Sequence, residues 1–368
     1  MKKALLLVTR EEKKYIEEIL GLLETAGYEP TIIIPVRSDH YLSRTKLNEI
    51  EYSIEENDVD AIIFYGNPKP SIISKIMKST GKEVIDRTLL ILEIFSQHAG
   101  SKEARLQIEL ARLKHVTPLV REMVRRKRMG EMPGFMGPGI YDVEKYYRHI
   151  KNRISRLRRE LERIRKRRES MRKNRSDIPH VSIVGYASAG KTSLFNTLTG
   201  ESKPVGEEYF TTLLPKHKAI LYRGKKIIFI DTVGFIRNIP PEIIEAFHAT
   251  LEETVFSDLI LFVLDVSEDY ETVMHKLDAG LSILSRIEAD VNPIVLVLNK
   301  IDRARGDVVT RIEEEMTSDL YSDLYDIRGI VRVSAVTGYN IPRLLDIVYD
   351  SITRTDTVQE DEQVAIEL

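Results

Sequence analysis

The 368-residue chain contains no cysteine and no tryptophan. Without cysteine, neither disulfide bonds nor thiolate metal sites can hold it together, and a reducing compartment fits this composition. No apolar run approaches the ~18 residues of a membrane helix, and no charged-then-apolar leader is visible, so we expect a cytoplasmic protein with no membrane span. Hydrophobic residues make up 42% and charged residues 30% of the chain, which is typical of globular domains.

Charge is segregated along the chain, although the net charge is only −2. Residues 86–175 carry 25 Lys and Arg against 11 Asp and Glu, an excess of +14. Residues 176–354 carry 18 Lys and Arg against 27 Asp and Glu, an excess of −9. A basic middle and an acidic second half indicate two different partners. The length allows two or three domains, each with its own core.

The first 85 residues alternate short apolar runs with helical patterns. Strands are predicted at Ala4–Val8, Thr31–Val36, Ala61–Tyr65 and, weakly, Glu83–Ile85. Helices are predicted at Glu11–Ala26, Thr45–Glu56 and Ile72–Ser79. This alternation predicts a small parallel sheet covered by helices. Because no glycine-rich phosphate loop follows the first strand, we interpret residues 1–85 as a scaffold or docking subdomain that holds no small ligand.

Residues 86–175 are predicted to form a helical hairpin. One long helix is expected from Asp86 to about Arg128, kinked at Pro118, with apolar residues alternately four and three apart at Leu106, Leu110, Leu113, Thr117, Val120 and Val124. The second helix repeats this alternation at Val143, Tyr147, Ile150, Ile154, Leu157, Leu161 and Ile164. Two such stripes, joined by the Gly- and Pro-rich loop Met129–Ile140, predict an antiparallel pair.

The outer face of the second helix is crowded with cations, namely Arg153, Arg156, Arg158, Arg159, Arg163, Arg165, Lys166, Arg167 and Arg168. Arginine dominates over lysine, and few acids are interleaved for pairing along the helix, which favours contact with phosphates of structured RNA. One alternative is a solvated coiled-coil flank, and a second is a membrane- or protein-directed regulator that binds its partner through the coiled coil. The polar segment Asn174–Pro179 is interpreted as a hinge, and residues 355–368 as an acidic disordered tail.

A phosphate-binding loop is predicted directly after the hinge. The β-branched run from Val181 to Val184 leads into Gly185-x4-Gly190-Lys191-Thr192, and an apolar helical pattern follows. Strand, glycine-bounded loop and helix form the context of a P-loop. Lys191 supplies charge to the β- and γ-phosphates, and the Thr192 hydroxyl is placed to bind Mg²⁺. The residues assigned to the phosphates are Gly185, Tyr186, Ala187, Ser188, Ala189, Gly190, Lys191, Thr192 and Ser193.

Two further segments suit the γ-phosphate and its metal. The first holds Phe210, Thr211 and Thr212, about twenty residues past the P-loop, where a threonine can bring a hydroxyl to Mg²⁺; on spacing alone both threonines compete. The second holds Asp231, Thr232, Val233 and Gly234, directly after an apolar strand. Its carboxylate can orient water on Mg²⁺, and its glycine leaves room for the phosphate.

Two later segments indicate guanine as the base. Asn299, Lys300 and Asp302 follow the apolar run Ile294–Leu298. A carboxylate accepts two parallel hydrogen bonds from guanine N1–H and N2–H₂, whereas adenine offers no such pair of donors. Asp302 should therefore exclude ATP. Ser334, Ala335 and Val336 follow Val331–Val333 and can bring backbone groups to guanine O6.

Phe235 follows Gly234 at the position where a small GTPase carries a glutamine that orients the attacking water. Phenylalanine cannot hydrogen-bond water. We therefore expect slow intrinsic hydrolysis, with the water positioned by backbone groups or by a partner.

With these motifs in hand, the chain resembles the HflX family of translational GTPases, within the Obg–HflX group. Phe210-Thr211-Thr212-Leu213-Leu214-Pro215 is similar to the family's F-A-T-L-D-P switch, which makes Thr212 the magnesium threonine, and Asp231 to Ile236 match its DTVGFI. Asp86-Arg87-Thr88, the stretch Leu106–Lys114 and Gly137-Pro138-Gly139 resemble its DRT, LQVELAQLKY and GPGETQLE segments. The resemblance implies catalytic roles for Lys191, Thr212 and Gly234, and metal binding by Thr192, Thr212 and Asp231.

The chain also departs from the family pattern. Ile140-Tyr141-Asp142-Val143-Glu144 replaces ETQLE, Leu214 replaces the switch aspartate, and Ser43-Arg44-Thr45 stands where a glycine-lysine-glycine stretch is expected. Such shorter, divergent sequences look archaeal. The family implies GTP hydrolysis coupled to the large ribosomal subunit, with the hairpin loop directed toward the peptidyl-transferase region and a role in ribosome splitting, rescue or biogenesis.

The sequence therefore predicts an α/β protein with four parts. They are an α/β subdomain (1–85), a basic helical hairpin (86–175), a P-loop GTPase domain with a mostly parallel sheet and helices on both faces (176–354), and an acidic tail (355–368). We expect a monomer that binds GTP or GDP with Mg²⁺ and contacts large-subunit rRNA through the hairpin. The rival function is an RNA-binding adaptor whose nucleotide switch has negligible turnover.

Overall fold

The computed structural model describes residues 1–99, 101–128, 140–172, 178–201, 216–236, 254–287, 289, 292–316, 321 and 324–353. The chain divides into two compact units, one built from residues 1–173 with 240–246, and one from residues 174–239 with 247–368. The first unit contains both the predicted N-terminal subdomain and the predicted hairpin. Among the described helices, none combines the length and the apolar character needed to span a bilayer.

The first unit is built on a four-stranded parallel sheet. Its strands β1 to β4 are Lys2–Thr9, Tyr28–Val36, Ala61–Tyr65 and Glu83–Asp86, in the spatial order β2-β1-β3-β4. The helices α1 to α4 are Ile16–Thr25, Arg44–Glu56, Pro70–Thr80 and Arg87–His98. The predicted strand and helix order is confirmed, including the weak fourth strand. The predicted first helix is divided, because Glu12–Tyr15 form a 3₁₀ turn ahead of α1.

The single long helix expected from Asp86 to Arg128 is wrong. Asp86 ends β4 and accepts a hydrogen bond from the Leu89 backbone N–H at 2.9 Å, so it caps a separate helix α4. A new helix, α5 (Lys102–Arg128), begins where the Ser101 hydroxyl accepts the Ala104 N–H at 3.0 Å. The serine cap supplies an acceptor for a first-turn donor, which stabilises a helix start there. Pro118 lies inside α5.

Helix α5 pairs with α6 (Ile140–Arg172), and the pairing is antiparallel as predicted. Lys102 binds Glu160 and Glu109 binds Arg153, so numbers rise along one helix as they fall along the other. The core of this pair consists of Leu106, Leu110, Leu157 and Leu161, flanked by Leu113, Ile154 and Ile164. Helix α5 is not a free arm, because Leu119 packs against the core of the parallel sheet.

The second unit is built on a six-stranded sheet. Its strands β5 to β10 are His180–Gly185, Lys216–Tyr222, Lys225–Asp231, Leu259–Asp265, Ile294–Asn299 and Ile327–Arg332, in the spatial order β10-β9-β8-β5-β7-β6. All pairs are parallel except β6 with β7. Helices lie at Lys191–Thr199 (α7), Tyr270–Arg286, Gly306–Met316 and 341–353. Parallel strands buried on both faces read as continuous apolar runs, which β5, β8 and β9 show.

Strand β6 was not predicted from the sequence. It forms a hairpin with β7 through Arg223 and Gly224, both with positive φ (48° and 82°). Two successive positive φ values match the right-handed twist of a tight hairpin. The turn signal in the sequence is a single glycine after an arginine, which predicts a hairpin much more weakly than Asn-Gly does. The sequence predictions also do not include strand β8 and the helix that follows it, although the apolar patterns of both are strong.

Candidate nucleotide-binding site

The predicted P-loop joins β5 to α7. Gly190 caps α7 with φ 89°, a left-handed conformation that L side chains rarely adopt. A Cβ at Gly190 would also overlap the Nδ2 atom of Asn299. Glycine at this position therefore serves both the turn and the close approach of a second loop. Behind it, Leu194, Phe195 and Leu198 anchor α7 in the core of the sheet.

Lys191 is buried at the start of α7 and points back into its own loop. Its Nζ atom donates to the Tyr186 backbone carbonyl at 2.7 Å. Burial lowers the pKa of Lys191 to about 8, and the negative charge of Asp231 partly opposes this shift. The buried ammonium group thus interacts with the Tyr186 carbonyl and the Asp231 carboxylate. An anion added beside it would strongly stabilise its charged form.

Thr192 and Asp231 come together from two elements. The Thr192 hydroxyl donates to the Asp231 carboxylate at 2.9 Å, and both residues are buried. Thr192 is fixed by α7, and Asp231 is fixed by the end of β7, which pairs with β5. A hydroxyl and a carboxylate are hard oxygen donors, the set that Mg²⁺ uses together with phosphates and waters. The two residues fit the predicted metal, and within the described residues no cluster of three His, Cys, Asp or Glu competes with them.

Gly234 lies against the P-loop. A Cβ there would come within 2.9 Å of both the Ala187 nitrogen and the Lys191 Nζ atom, so a larger residue would displace the loop. The next residue holds the two loops together, because Phe235 N–H donates to the Gly185 carbonyl at 2.9 Å and Ala187 N–H donates to the Phe235 carbonyl at 2.7 Å. Thr232 is buried and donates its hydroxyl to the Ile183 carbonyl.

Asn299 bridges three loops from the end of β9. Its Nδ2 donates to the Ala189 carbonyl at 2.9 Å, and its Oδ1 accepts the Ala335 N–H at 3.0 Å. Thr197 on α7 adds a hydrogen bond to the Ala335 carbonyl at 2.7 Å. The phosphate loop and the predicted base loops are therefore joined through one buried amide. Val333, directly before this loop, accepts the Ile301 N–H.

The predicted base-reading residues lie at the same edge of the sheet. Lys300 has φ 64° and forms an ion pair with Asp265 at 2.5 Å. Asp302 is exposed in the 3₁₀ turn that follows. Ser334 is buried and accepts the Thr337 N–H, whereas Val336 is 83% exposed. An exposed carboxylate and an exposed backbone loop can meet an incoming base.

Some predicted residues lie outside the described residues. They are Phe210, Thr211 and Thr212, as well as the loop segment 129–139 with its Gly137-Pro138-Gly139, the segment 174–177 of the predicted hinge and the predicted tail. Ser188 lies in the P-loop, and Ser193 lies in the first turn of α7. Asp265 is not among the residues predicted from the sequence. A carboxylate at the end of an otherwise apolar strand, as in β8, is nevertheless a sequence signal for a site residue.

The described loops all follow the carboxyl ends of parallel strands, the edge at which α/β sheets bind ligands. Together with the sheet order, they define a P-loop GTPase. Comparisons with family models agree: one described as "GTP-binding GTPase N-terminal" matches residues 13–96, "GTP-binding GTPase Middle Region" matches 98–175, and "50S ribosome-binding GTPase" matches 180–300.

Individual relatives narrow this class. GTPase HflX of Hyperthermus butylicus is 48% identical over 341 residues, covering 90% of each chain. GTPase HflX of Saccharolobus solfataricus is 38% identical, covering 96% of this chain and 99% of the relative. A crystal structure of a GTP-binding protein from the archaeon Sulfolobus solfataricus in complex with GDP is 34% identical, with a TM-score of 0.56 over 96% of this chain and all of that one. The chain belongs to the HflX family of GTPases, in its archaeal form, and is a GTP-hydrolysing enzyme.

Proposed function

We propose that this GTPase uses its basic helical hairpin to bind RNA of the large ribosomal subunit, and that GTP binding and hydrolysis, with Mg²⁺, control this contact during ribosome splitting, rescue or biogenesis. The observation that carries the proposal is an arginine-lined groove on the hairpin. The family description "50S ribosome-binding GTPase", which matches residues 180–300, supports the choice of partner.

The groove lies on the exposed side of α6. It is lined by Lys102, Arg156, Arg159, Glu160, Ile164, Arg163 and Arg167. The four arginines are exposed and recur every three or four residues, so they stand about one helical turn apart on one face. A row of guanidinium groups at this spacing suits a phosphate backbone, because each fork can bind phosphate oxygens bidentately.

Arg153 is excluded from this row. Its Nε and Nη2 atoms donate to the two carboxylate oxygens of Glu109 at 2.7 and 2.8 Å, across the hairpin. The predicted nine-cation face is therefore corrected: Arg153 pairs with Glu109 across the hairpin, whereas the four groove arginines are exposed to solvent. The hydrogen bonds and charge of Glu109 hold the pKa of Arg153 above its usual range.

The proposal assigns the following nucleotide roles, supported by the described positions of Lys191, Thr192, Asp231, Asn299 and Asp302 and, for Thr212, by the family resemblance. Lys191 neutralises phosphate charge, Thr192 and Asp231 hold the metal together with Thr212, and Asn299 positions the loop from which Asp302 reads guanine. Mg²⁺, when bound, would neutralise charge that develops between the β- and γ-phosphates. The GDP complex of the Sulfolobus relative supports guanine nucleotide binding at this site.

Slow intrinsic hydrolysis is also part of the proposal. The Phe235 side chain is fully buried and offers no polar group to an attacking water. Backbone groups or the bound subunit must then orient the water. A multiple-turnover assay with and without large subunits tests this point: stimulation supports coupling, and equal rates with every ribosomal fraction contradict it.

The direct test is co-sedimentation of the full chain with large ribosomal subunits in the presence of a non-hydrolysable GTP analogue, GDP or no nucleotide. The triple variant Arg156→Glu, Arg159→Glu and Arg163→Glu should lose association. The matched control swaps the charges of the internal pair, Glu109→Arg with Arg153→Glu, which keeps the hairpin ion pair and the net charge. Equal association of the triple variant and the wild type would contradict the proposal, as would loss of association in the swapped control alone.

A further inference from the structure

The loop-proximal part of α6 combines aromatic rings with cations. Residues 145–159 read KYYRHIKNRISRLRR, with seven Lys and Arg, two tyrosines, one histidine and no acid. A surface that alternates basic and aromatic side chains is typical of proteins that bind unpaired nucleic acid, because cations follow the backbone while rings stack on bases.

The two tyrosines differ in their surroundings. Tyr147 is half-buried, and the Lys151 Nζ atom lies 4.9 Å from the centre of its ring. Tyr146 is 53% exposed and, within the described part of the chain, makes no hydrogen bond or ring contact. Lys145, Arg148 and His149 beside it are exposed as well. The ring of Tyr147 thus contacts a lysine of its own helix, whereas the ring of Tyr146 is exposed to solvent beside basic side chains.

We propose that Tyr146 is a stacking platform for an unpaired RNA base, flanked by Lys145 and Arg148 as phosphate contacts. The inference rests on the proposed function of the hairpin and extends it, since the arginine groove binds any phosphate backbone whereas a ring selects a base that is free to stack. A paired base in a duplex keeps both of its faces covered by neighbouring bases.

A second exposed tyrosine, Tyr52, lies in surroundings that do not favour RNA binding and can be compared with Tyr146. Tyr52 on α2 is 60% exposed, but its hydroxyl donates to Glu56 and its sequence neighbours include Glu51 and Glu55. An acidic surrounding repels a phosphate backbone. Tyr52 therefore serves as the matched control for exposure, residue type and location in the same compact unit.

The absence of tryptophan allows a direct spectroscopic test. Tyr146→Trp and Tyr52→Trp each introduce a single tryptophan into the full chain. We would titrate both with a 20-nucleotide single-stranded RNA and with a duplex of the same length, and record tryptophan fluorescence and the anisotropy of labelled RNA in parallel. Tyr146→Ala and Tyr146→Phe report the contribution to affinity.

Quenching of the tryptophan at position 146 by the single strand, but not by the duplex and not at position 52, is the expected result. Tyr146→Ala should bind the single strand about tenfold or more weakly, while Tyr146→Phe binds as wild type, because stacking needs the ring and not the hydroxyl. RNA binding by anisotropy without quenching at position 146 would overturn the platform and leave the arginine groove standing. No anisotropy change with either RNA would overturn both.

Discussion

The ring of Phe235 packs edge-on against the ring of Tyr186, with centroids 6.2 Å apart and planes at 83°. The same two residues form a parallel bridge between the P-loop and the segment that follows Gly234. Phe235 also packs beside Phe262 of β8, with ring centroids 6.3 Å apart. The residue found in place of the usual glutamine is therefore buried and joins the P-loop to the segment that follows Gly234.

Introducing a glutamine at position 235 should not accelerate GTP hydrolysis. Phe235→Gln removes a buried ring and places an amide in an apolar site, so we expect it to lower the free energy of unfolding by about 3 kcal/mol or more. We expect no gain in single-turnover GTP hydrolysis. Urea unfolding and a single-turnover assay measure the two effects.

Phe235→Leu is the control for this substitution, because it keeps an apolar side chain and should cost only about 1.5 kcal/mol. A faster hydrolysis rate in Phe235→Gln, with unchanged stability, would show that the side chain at this position reaches the water after all.

Nucleotide binding should take up a proton at Lys191. With its pKa lowered to about 8, most Lys191 side chains are neutral at pH 8.5, and phosphate oxygens brought beside the amine raise its pKa again. Binding of GDP should then take up a fraction of a proton that is larger at pH 8.5 than at pH 7.5. Isothermal titration calorimetry in buffers of different ionisation enthalpy measures this uptake.

The variant Lys191→Arg keeps the charge at every pH and should abolish the uptake. The chain without nucleotide should also become more stable as the pH rises from about 8 toward 10.5, because the unfolded chain then binds more protons than the folded one. Equal proton uptake at both pH values would contradict the altered pKa of Lys191.

Removing the Asn299 amide should weaken both the fold and nucleotide binding. Asn299→Ala leaves the Ala189 carbonyl and the Ala335 N–H without their partner, at a cost of about 2–4 kcal/mol for the two groups. We expect a weaker Kd for GDP together with the lower stability. Chemical unfolding and calorimetry report the two quantities.

Asn292→Ala is a matched control, because Asn292 also makes two hydrogen bonds to the backbone, in its case by donating to the carbonyls of Thr254 and Val255. It should lower stability and leave the GDP affinity unchanged. If both variants changed the affinity equally, the effect of Asn299 would be one of general stability only.

The ion pair between Glu109 and Arg153 should contribute little to stability despite its bidentate geometry. Both side chains are more than a third exposed, and exposed pairs are screened by water. A double-mutant cycle with Glu109→Ala and Arg153→Ala should give a coupling of about 0.5 kcal/mol. A coupling several times larger would indicate that the hairpin depends on this pair rather than on its leucine core.

Much of the site could be predicted because its chemistry is local in sequence. Lys191 and Thr192 follow their glycines, and Asp231 follows its strand, so spacing and residue type were sufficient. What could not be predicted depends on contacts between distant segments. The second hydrogen bond of Asn299 requires knowledge of where Ala335 lies, and the burial of Phe235 requires knowledge of Tyr186.

One error in the fold has a local origin. The heptad stripe of α5 was recognised, but the break between α4, which ends at His98, and α5, which begins at Lys102, was missed. The Ser101 cap, a contact between residues only three apart, marks the start of the second helix. The cation row of α6 was also recognised, whereas the partner that removes Arg153 from it lies 44 residues earlier, on another helix.

The central claim is that the nucleotide bound by the second unit decides whether the hairpin engages ribosomal RNA. Asp302→Asn tests it most directly, because an amide at this position should prefer xanthosine to guanosine nucleotides. In co-sedimentation with large ribosomal subunits, this variant should associate with a non-hydrolysable xanthosine triphosphate analogue and fail with the guanosine analogue, the reverse of the wild type. The account would be contradicted if both the wild type and Asp302→Asn associated only with the guanosine analogue. It would also be contradicted if association were the same with either analogue or without nucleotide.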